Sequence, residues 1–139
     1  MQQLRILIVE DDPNISELIT ITLESPFYAI TCVDSGAAAL IKLGEEKPDL
    51  VVLDILIPEP DGWELYTIIR NDPLLTHIRI LILTALITKQ DGIKKKNILP
   101  ADGYMTKPFN LEELRMKVME MLKCQTVRKC EDFSCQCPF

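Results

Sequence analysis

Asp54 stands at the end of the apolar run Leu50-Val51-Val52-Leu53 and is followed by Ile55, Leu56, Ile57 and Pro58. A carboxylate is costly to bury among such neighbours unless something pairs with it. Other residues able to do chemistry hold the same place, just after an apolar run. Glu10 and Asp11 follow Leu4 to Val9, Thr84 follows Ile78 to Leu83, and Lys107 follows the short run Ala101 to Met105. Two carboxylates about 4 Å apart at an effective dielectric near 20 repel by roughly 4 kcal/mol. Three acids brought together therefore need cations. Lys107 offers one positive charge, and a divalent metal supplies the rest. The donors are hard oxygens, with no histidine nearby. That set suits Mg²⁺, which keeps several waters and accepts one or two carboxylates. The next natural ligand on such a metal is a phosphoryl oxygen.

These residues meet only if the apolar runs are strands of one parallel sheet, so that every strand end reaches the same rim. Strand signals occur at Leu4 to Val9, Tyr28 to Val33, Leu50 to Leu53, Ile78 to Leu83 and Ala101 to Met105. Helical spacing fills the intervals. Asp12-Pro13 opens a helix with Ile15, Leu18, Ile19 and Leu23 on one face, and Ser25-Pro26 closes it. Ser35 caps a second helix that ends near Gly44. Asp61 opens a third, which Asn71-Asp72-Pro73 stops. The segment Leu86 to Leu99 carries a weak fourth helix, and Asn110 with Glu113 starts a last one. Alternating strands and helices imply a parallel sheet covered on both faces. Open α/β sheets bind ligands at the carboxyl ends of their strands.

The bulk numbers narrow the function. A formal net charge of −6 disfavours nonspecific nucleic-acid binding, which needs a basic surface. No apolar stretch is long enough to span a bilayer, and the N-terminus enters a strand without a signal-peptide layout. A cytoplasmic protein is expected. The loop after the first strand is acidic, unlike the amide-rich cradle of flavodoxin-type phosphate sites, and a Gly-rich dinucleotide fingerprint is absent.

Taken together, the residues resemble the receiver domain of two-component response regulators. The resemblance spans residues 1–123. It rests on Ile8-Val9-Glu10-Asp11-Asp12, on Asp54-Ile55-Leu56-Ile57-Pro58-Glu59-Pro60-Asp61-Gly62, on Thr84-Ala85, and on Ala101 to Phe109 with Lys107-Pro108. Pro100 replaces a frequent Gly and Ile57 a usual Met; neither change removes a chemical group. The resemblance implies a flavodoxin-like, doubly wound, five-stranded parallel sheet of order 2-1-3-4-5. It implies Asp54 as phosphoacceptor from the phosphohistidine of a sensor histidine kinase or a histidine phosphotransfer protein. Asp11, Asp54 and the Leu56 backbone carbonyl would ligate Mg²⁺ (Mn²⁺ able to substitute), with Glu10 acting through a metal-bound water. Lys107 would pair with Asp54 and then with a phosphoryl oxygen, and Thr84 would donate its hydroxyl to another. Tyr104 matches the aromatic position that turns inward when Thr84 moves. The switched face, made by the fourth helix, fifth strand and last helix, would take an effector or a second copy. Such a domain is a switch consumed stoichiometrically rather than an enzyme. A phosphatase with an aspartyl nucleophile commonly wants an acid two residues on, where this chain has Leu56.

Other residues have plainer readings. Asp12 is a helix cap, His77 a solvated loop residue, Lys94-Lys95-Lys96 a solvated face, and Trp63 partly packed surface. Cys32, in an apolar–polar alternation, reads as a small buried hydrophobe. Cys124, Cys130, Cys135 and Cys137 crowd the tail over 124–139. Their spacing lacks the paired C-x₂-C knuckles of common zinc modules. The tail is expected to be disordered, or an appendage of the expression vector, rather than a metal site.

Overall fold

Residues that alternate across a strand present two faces, and in this chain both faces are apolar. The computed structural model describes residues 3–58, 60–84, 103–106 and 109–129. Their elements run β1 (Leu4–Val9), α1 (Pro13–Leu23), β2 (Tyr28–Val33), α2 (Gly36–Glu45), β3 (Leu50–Asp54), α3 (Gly62–Asn71), β4 (Arg79–Thr84), β5 (Gly103–Thr106) and α4 (Leu111–Lys129). The strands form one parallel sheet of order β2-β1-β3-β4-β5. This is the order expected from the resemblance. The expected helix over Leu86 to Leu99 lies outside the described residues.

Two cores sandwich the sheet. Leu7, Val9, Val51, Leu53, Ile80 and Ile82 point to the side of α2 and α3, where Ala39, Leu43, Leu65 and Ile69 meet them. Ile6, Ile8, Leu50, Val52, Leu81 and Leu83 point the other way, towards Ile19 and Leu23 of α1 and Leu114, Val118 and Leu122 of α4. All five residues of β3 are buried. Each fully buried Leu, Ile or Val contributes about 1.5–3 kcal/mol, so the central strand is held hardest.

The helix starts follow local chemistry. Asp12 Oδ1 accepts the Asn14 N–H at 2.9 Å ahead of Pro13. Ser35 Oγ accepts from Ala38 at 3.1 Å. Asp61 and Glu64 form a reciprocal capping box at α3. Asn110 Oδ1 accepts from Glu112 and Glu113 at α4. Among the described residues, no helix is long and apolar enough to cross a membrane.

Two sequence expectations change. Cys32 is exposed rather than buried. It shares the face of Tyr28 and Ile30, but β2 is an edge strand, and at its carboxyl end the thiol stays exposed while lying 3.0 Å from Thr20 Oγ1 of α1. The last helix also runs on through Cys124 to Lys129, past the Lys123 limit set by the apolar stripe. Gln, Arg and Lys are good helix formers, so the backbone can continue where the stripe ends. Cys130, Cys135 and Cys137 lie outside the described residues.

Candidate functional site

The strand register assembles the site. Val9 pairs with Leu53, so the next residues, Glu10 and Asp54, emerge side by side at the carboxyl rim. Asp54 itself pairs with Leu83, and Thr84 of β4 pairs with Thr106 of β5. The Glu10 N–H donates to the Val33 carbonyl at 3.0 Å, which ties the end of β1 to that of β2.

At this rim Glu10, Asp11 and Asp54 each offer a carboxylate oxygen, and these oxygens lie within 4.8 Å of one another. Glu10 is 3% and Asp54 5% exposed, while Asp11 faces solvent. Two buried acids thus share a mouth with a third that opens it to water. Glu10 Oε2 accepts the Asp12 N–H at 3.2 Å, and Asp54 Oδ1 accepts the Leu56 N–H at 3.1 Å. These bonds orient the carboxylates. The donor set is hard oxygen, matched to a hard divalent cation and poorly to a soft one. The residues therefore fit a metal of that class.

The loop after Asp54 is held at both ends. The Gly62 N–H donates to the Ile55 carbonyl at 3.0 Å, and the Gly36 N–H to the Pro58 carbonyl at 3.0 Å. A Cβ at Gly62 would stand 2.5 Å from Ile55 Cα and 2.7 Å from the Asp54 carbonyl oxygen. Only a residue without a side chain lets α3 begin this close beneath the acid. Leu56 sits within the loop and is 55% exposed. It brings no proton donor to the place where an aspartyl phosphatase commonly carries its second acid.

The remaining expected residues fall as follows. Thr84 closes β4, and its side chain lies outside the described residues, as does Lys107. Tyr104 is half-buried in β5 and packs against the core on the α2 and α3 side. Trp63 packs partly against the same core in the first turn of α3. His77 is exposed in a turn. Sequence reasoning overlooked Gly36. The one local hint was a glycine directly after the Ser35 cap, where helix propensity alone favours almost any other residue.

Comparison with known proteins agrees with this geometry. Residues 6–119 match the family model of the response regulator receiver domain. The chain is 38% identical over 119 residues to the DNA-binding dual master transcriptional regulator RpaA of Synechocystis, covering 86% of this chain and 49% of that one. It is 38% identical over 119 residues to the alkaline phosphatase synthesis transcriptional regulatory protein PhoP of Bacillus subtilis, covering 86% and 48%. The chain thus spans about half the length of these relatives. Among solved structures, the signal receiver domain of a signal transduction histidine kinase from Syntrophus aciditrophicus superposes with a TM-score of 0.80 at 32% identity, over 97% of this chain and 98% of that one. A two-component response regulator from Clostridium difficile gives 0.78 at 31% identity, over 88% and 98%.

Proposed function

The chain belongs to the response regulator receiver domain family, and on that premise we propose that Asp54 is its phosphoacceptor. The observation that carries the proposal is the meeting of Asp54 with Glu10 and Asp11, oxygens within 4.8 Å, at the carboxyl rim of the sheet. Asp11, Asp54 and the Leu56 carbonyl would hold Mg²⁺, with Mn²⁺ as a substitute, and Glu10 would reach it through water. Bound there, the metal would neutralise charge on the acids and on the transferring phosphoryl group.

The chain's own residues have the following parts. The Leu56 amide fixes Asp54 through Oδ1. A carboxylate oxygen of Asp54 attacks the phosphorus of a phosphohistidine. The P–N bond breaks, its electron pair returns to the imidazole, and Asp54 becomes an acyl phosphate. Lys107 pairs with a phosphoryl oxygen and Thr84 donates its hydroxyl to another; both roles rest on the family likeness. Tyr104 follows Thr84 and carries the change to the face of β5 and α4. The shift is between two packings already in equilibrium. An effector or a second copy of the chain then reads that face.

The donor is a sensor histidine kinase or a histidine phosphotransfer protein, and the setting is the cytoplasm. The net charge of −6 keeps nucleic acid off the list of this domain's own partners. Residues 1–123 are assigned to the receiver and 124–139 to an appended segment, which the last helix enters as far as Lys129. Because Asp54 is consumed once per phosphoryl group, the domain is a switch and not an enzyme.

Acetyl phosphate with Mg²⁺ tests the assignment by mass spectrometry. One phosphoryl mass should appear on the wild type and none on Asp54→Asn. A wild type that never gains that mass, or an Asp54→Asn that does, removes Asp54 from the role. Sustained turnover of simple phosphoesters would instead make the chain a hydrolase.

A further inference from the structure

Gly36 opens α2, whereas the acids of the site lie at the ends of β1 and β3, yet it touches the loop that follows Asp54. Its N–H donates to the Pro58 carbonyl at 3.0 Å. A Cβ built on it would stand 1.9 Å from the Pro60 carbonyl oxygen and 2.9 Å from Pro60 C and Cδ. The first of these clashes is with backbone, so no side-chain rotation relieves it. Gly36 is itself buried and is fixed in place by the Ser35 cap. Across the loop, Gly62 presses on Ile55 in the same way. The stretch carrying Leu56 is therefore set between two helix starts, each bare of side chain where it meets the loop.

We propose that Gly36 is a positioning residue for the phosphoacceptor site. It lets α2 brace the β3–α3 loop and thereby sets Leu56 against Asp54. This rests on the reading of Asp54, Asp11 and Leu56 as the metal-binding groups. A methyl at position 36 forces Pro60 back by about 1 Å, because non-bonded atoms much inside van der Waals contact repel steeply. Leu56 shares that short loop and moves with it. Its amide then loses its alignment on Asp54 Oδ1, and its carbonyl leaves the place proposed for the metal. Changes to groups that orient metal ligands typically weaken binding 10–100-fold.

The test uses the full chain and Mg²⁺ alone as probe, with affinity measured by calorimetry. The control is Gly44→Ala in the same helix, where a Cβ meets nothing within 4 Å. Gly36→Ala should bind Mg²⁺ about 10-fold more weakly than wild type, while still unfolding cooperatively. The Leu56 amide resonance should move in the metal-free protein. Gly44→Ala should match wild type in both respects. A merely structural glycine predicts a lowered melting temperature with Mg²⁺ affinity and the Leu56 resonance unchanged, and that result overturns the proposal. Should Gly36→Ala fail to fold, Pro60→Gly decides. It loosens the braced loop without adding an atom to α2, and weaker Mg²⁺ binding supports the proposal while unchanged binding overturns it. Failure of the underlying reading looks different, because the wild type itself then takes no phosphoryl group from acetyl phosphate.

Discussion

Removing the charge of Asp54 should stabilise the metal-free protein. The site collects three carboxylates whose oxygens lie within 4.8 Å of one another, two of them buried. At an effective dielectric of 20, each of the two pairs that Asp54 makes costs about 3.5 kcal/mol at that separation. Water at the exposed Asp11, the amide bonds to Glu10 and Asp54, and the pairing with Lys107 that the family likeness implies offset most of this gross figure. A net gain of about 1–2 kcal/mol remains for Asp54→Asn, which keeps an oxygen to accept the Leu56 N–H. In a domain of this size that is roughly 3–10 °C in melting temperature. The assay is calorimetric or circular-dichroism melting of both proteins, first in chelator and then in saturating Mg²⁺. Asparagine should melt higher in chelator. Mg²⁺ at about 100 times its dissociation constant should raise the wild type by about 2.7 kcal/mol and the variant by much less. An Asp54→Asn that melts below wild type in chelator, or gains as much from Mg²⁺, would show that the acids are not held against one another.

Two further results are expected. Gly62→Ala should lose about 1–3 kcal/mol in urea unfolding, because its methyl meets backbone at 2.5 Å, while Gly44→Ala should gain up to about 1 kcal/mol in open space; the reverse order would contradict the close approach of α3 to Ile55. Burial pushes the Tyr28 hydroxyl above its ordinary 10.0 against the pull of Arg115, so the fold favours the protonated phenol. Its contribution is whole below about pH 10 and lost as pH rises through the raised value. Tyr28→Phe should therefore fall away less steeply above pH 10, and parallel stability curves for the two proteins would rule this out.

The sheet was legible because each apolar run ends in a chemically abrupt residue. Val9 gives way to Glu10 and Leu53 to Asp54, and Asp12, Ser35 and Asp61 announce the helices that follow. The acidic cluster was legible for the same reason, since parallel strands of matched length bring their ends to one rim. Cys32 misled because alternation reports a face and not whether a helix reaches far enough to cover it. The continuation of α4 to Lys129 was hidden because polar residues of good helix propensity leave no stripe to read. Gly36 was hidden for a different reason. Its meaning lies in Pro58 and Pro60, which no local pattern joins to it.

β3 is bounded by two buried acids, Asp49 just before it and Asp54 at its end, and they are employed in opposite ways. Asp49 Oδ2 accepts the Arg5 N–H at 2.8 Å, its own N–H donates to the Arg5 carbonyl at 2.8 Å, and its carbonyl accepts from Arg79 at 3.1 Å. One residue so pins three strands together. Five residues on, at about 3.3 Å per step, Asp54 stands roughly 16 Å away. The rim that fastens the strands is thus not the rim where phosphorylation is proposed. With Asp54 as phosphoacceptor, a receiver built this way would be rewritten at one end without loosening the knot at the other.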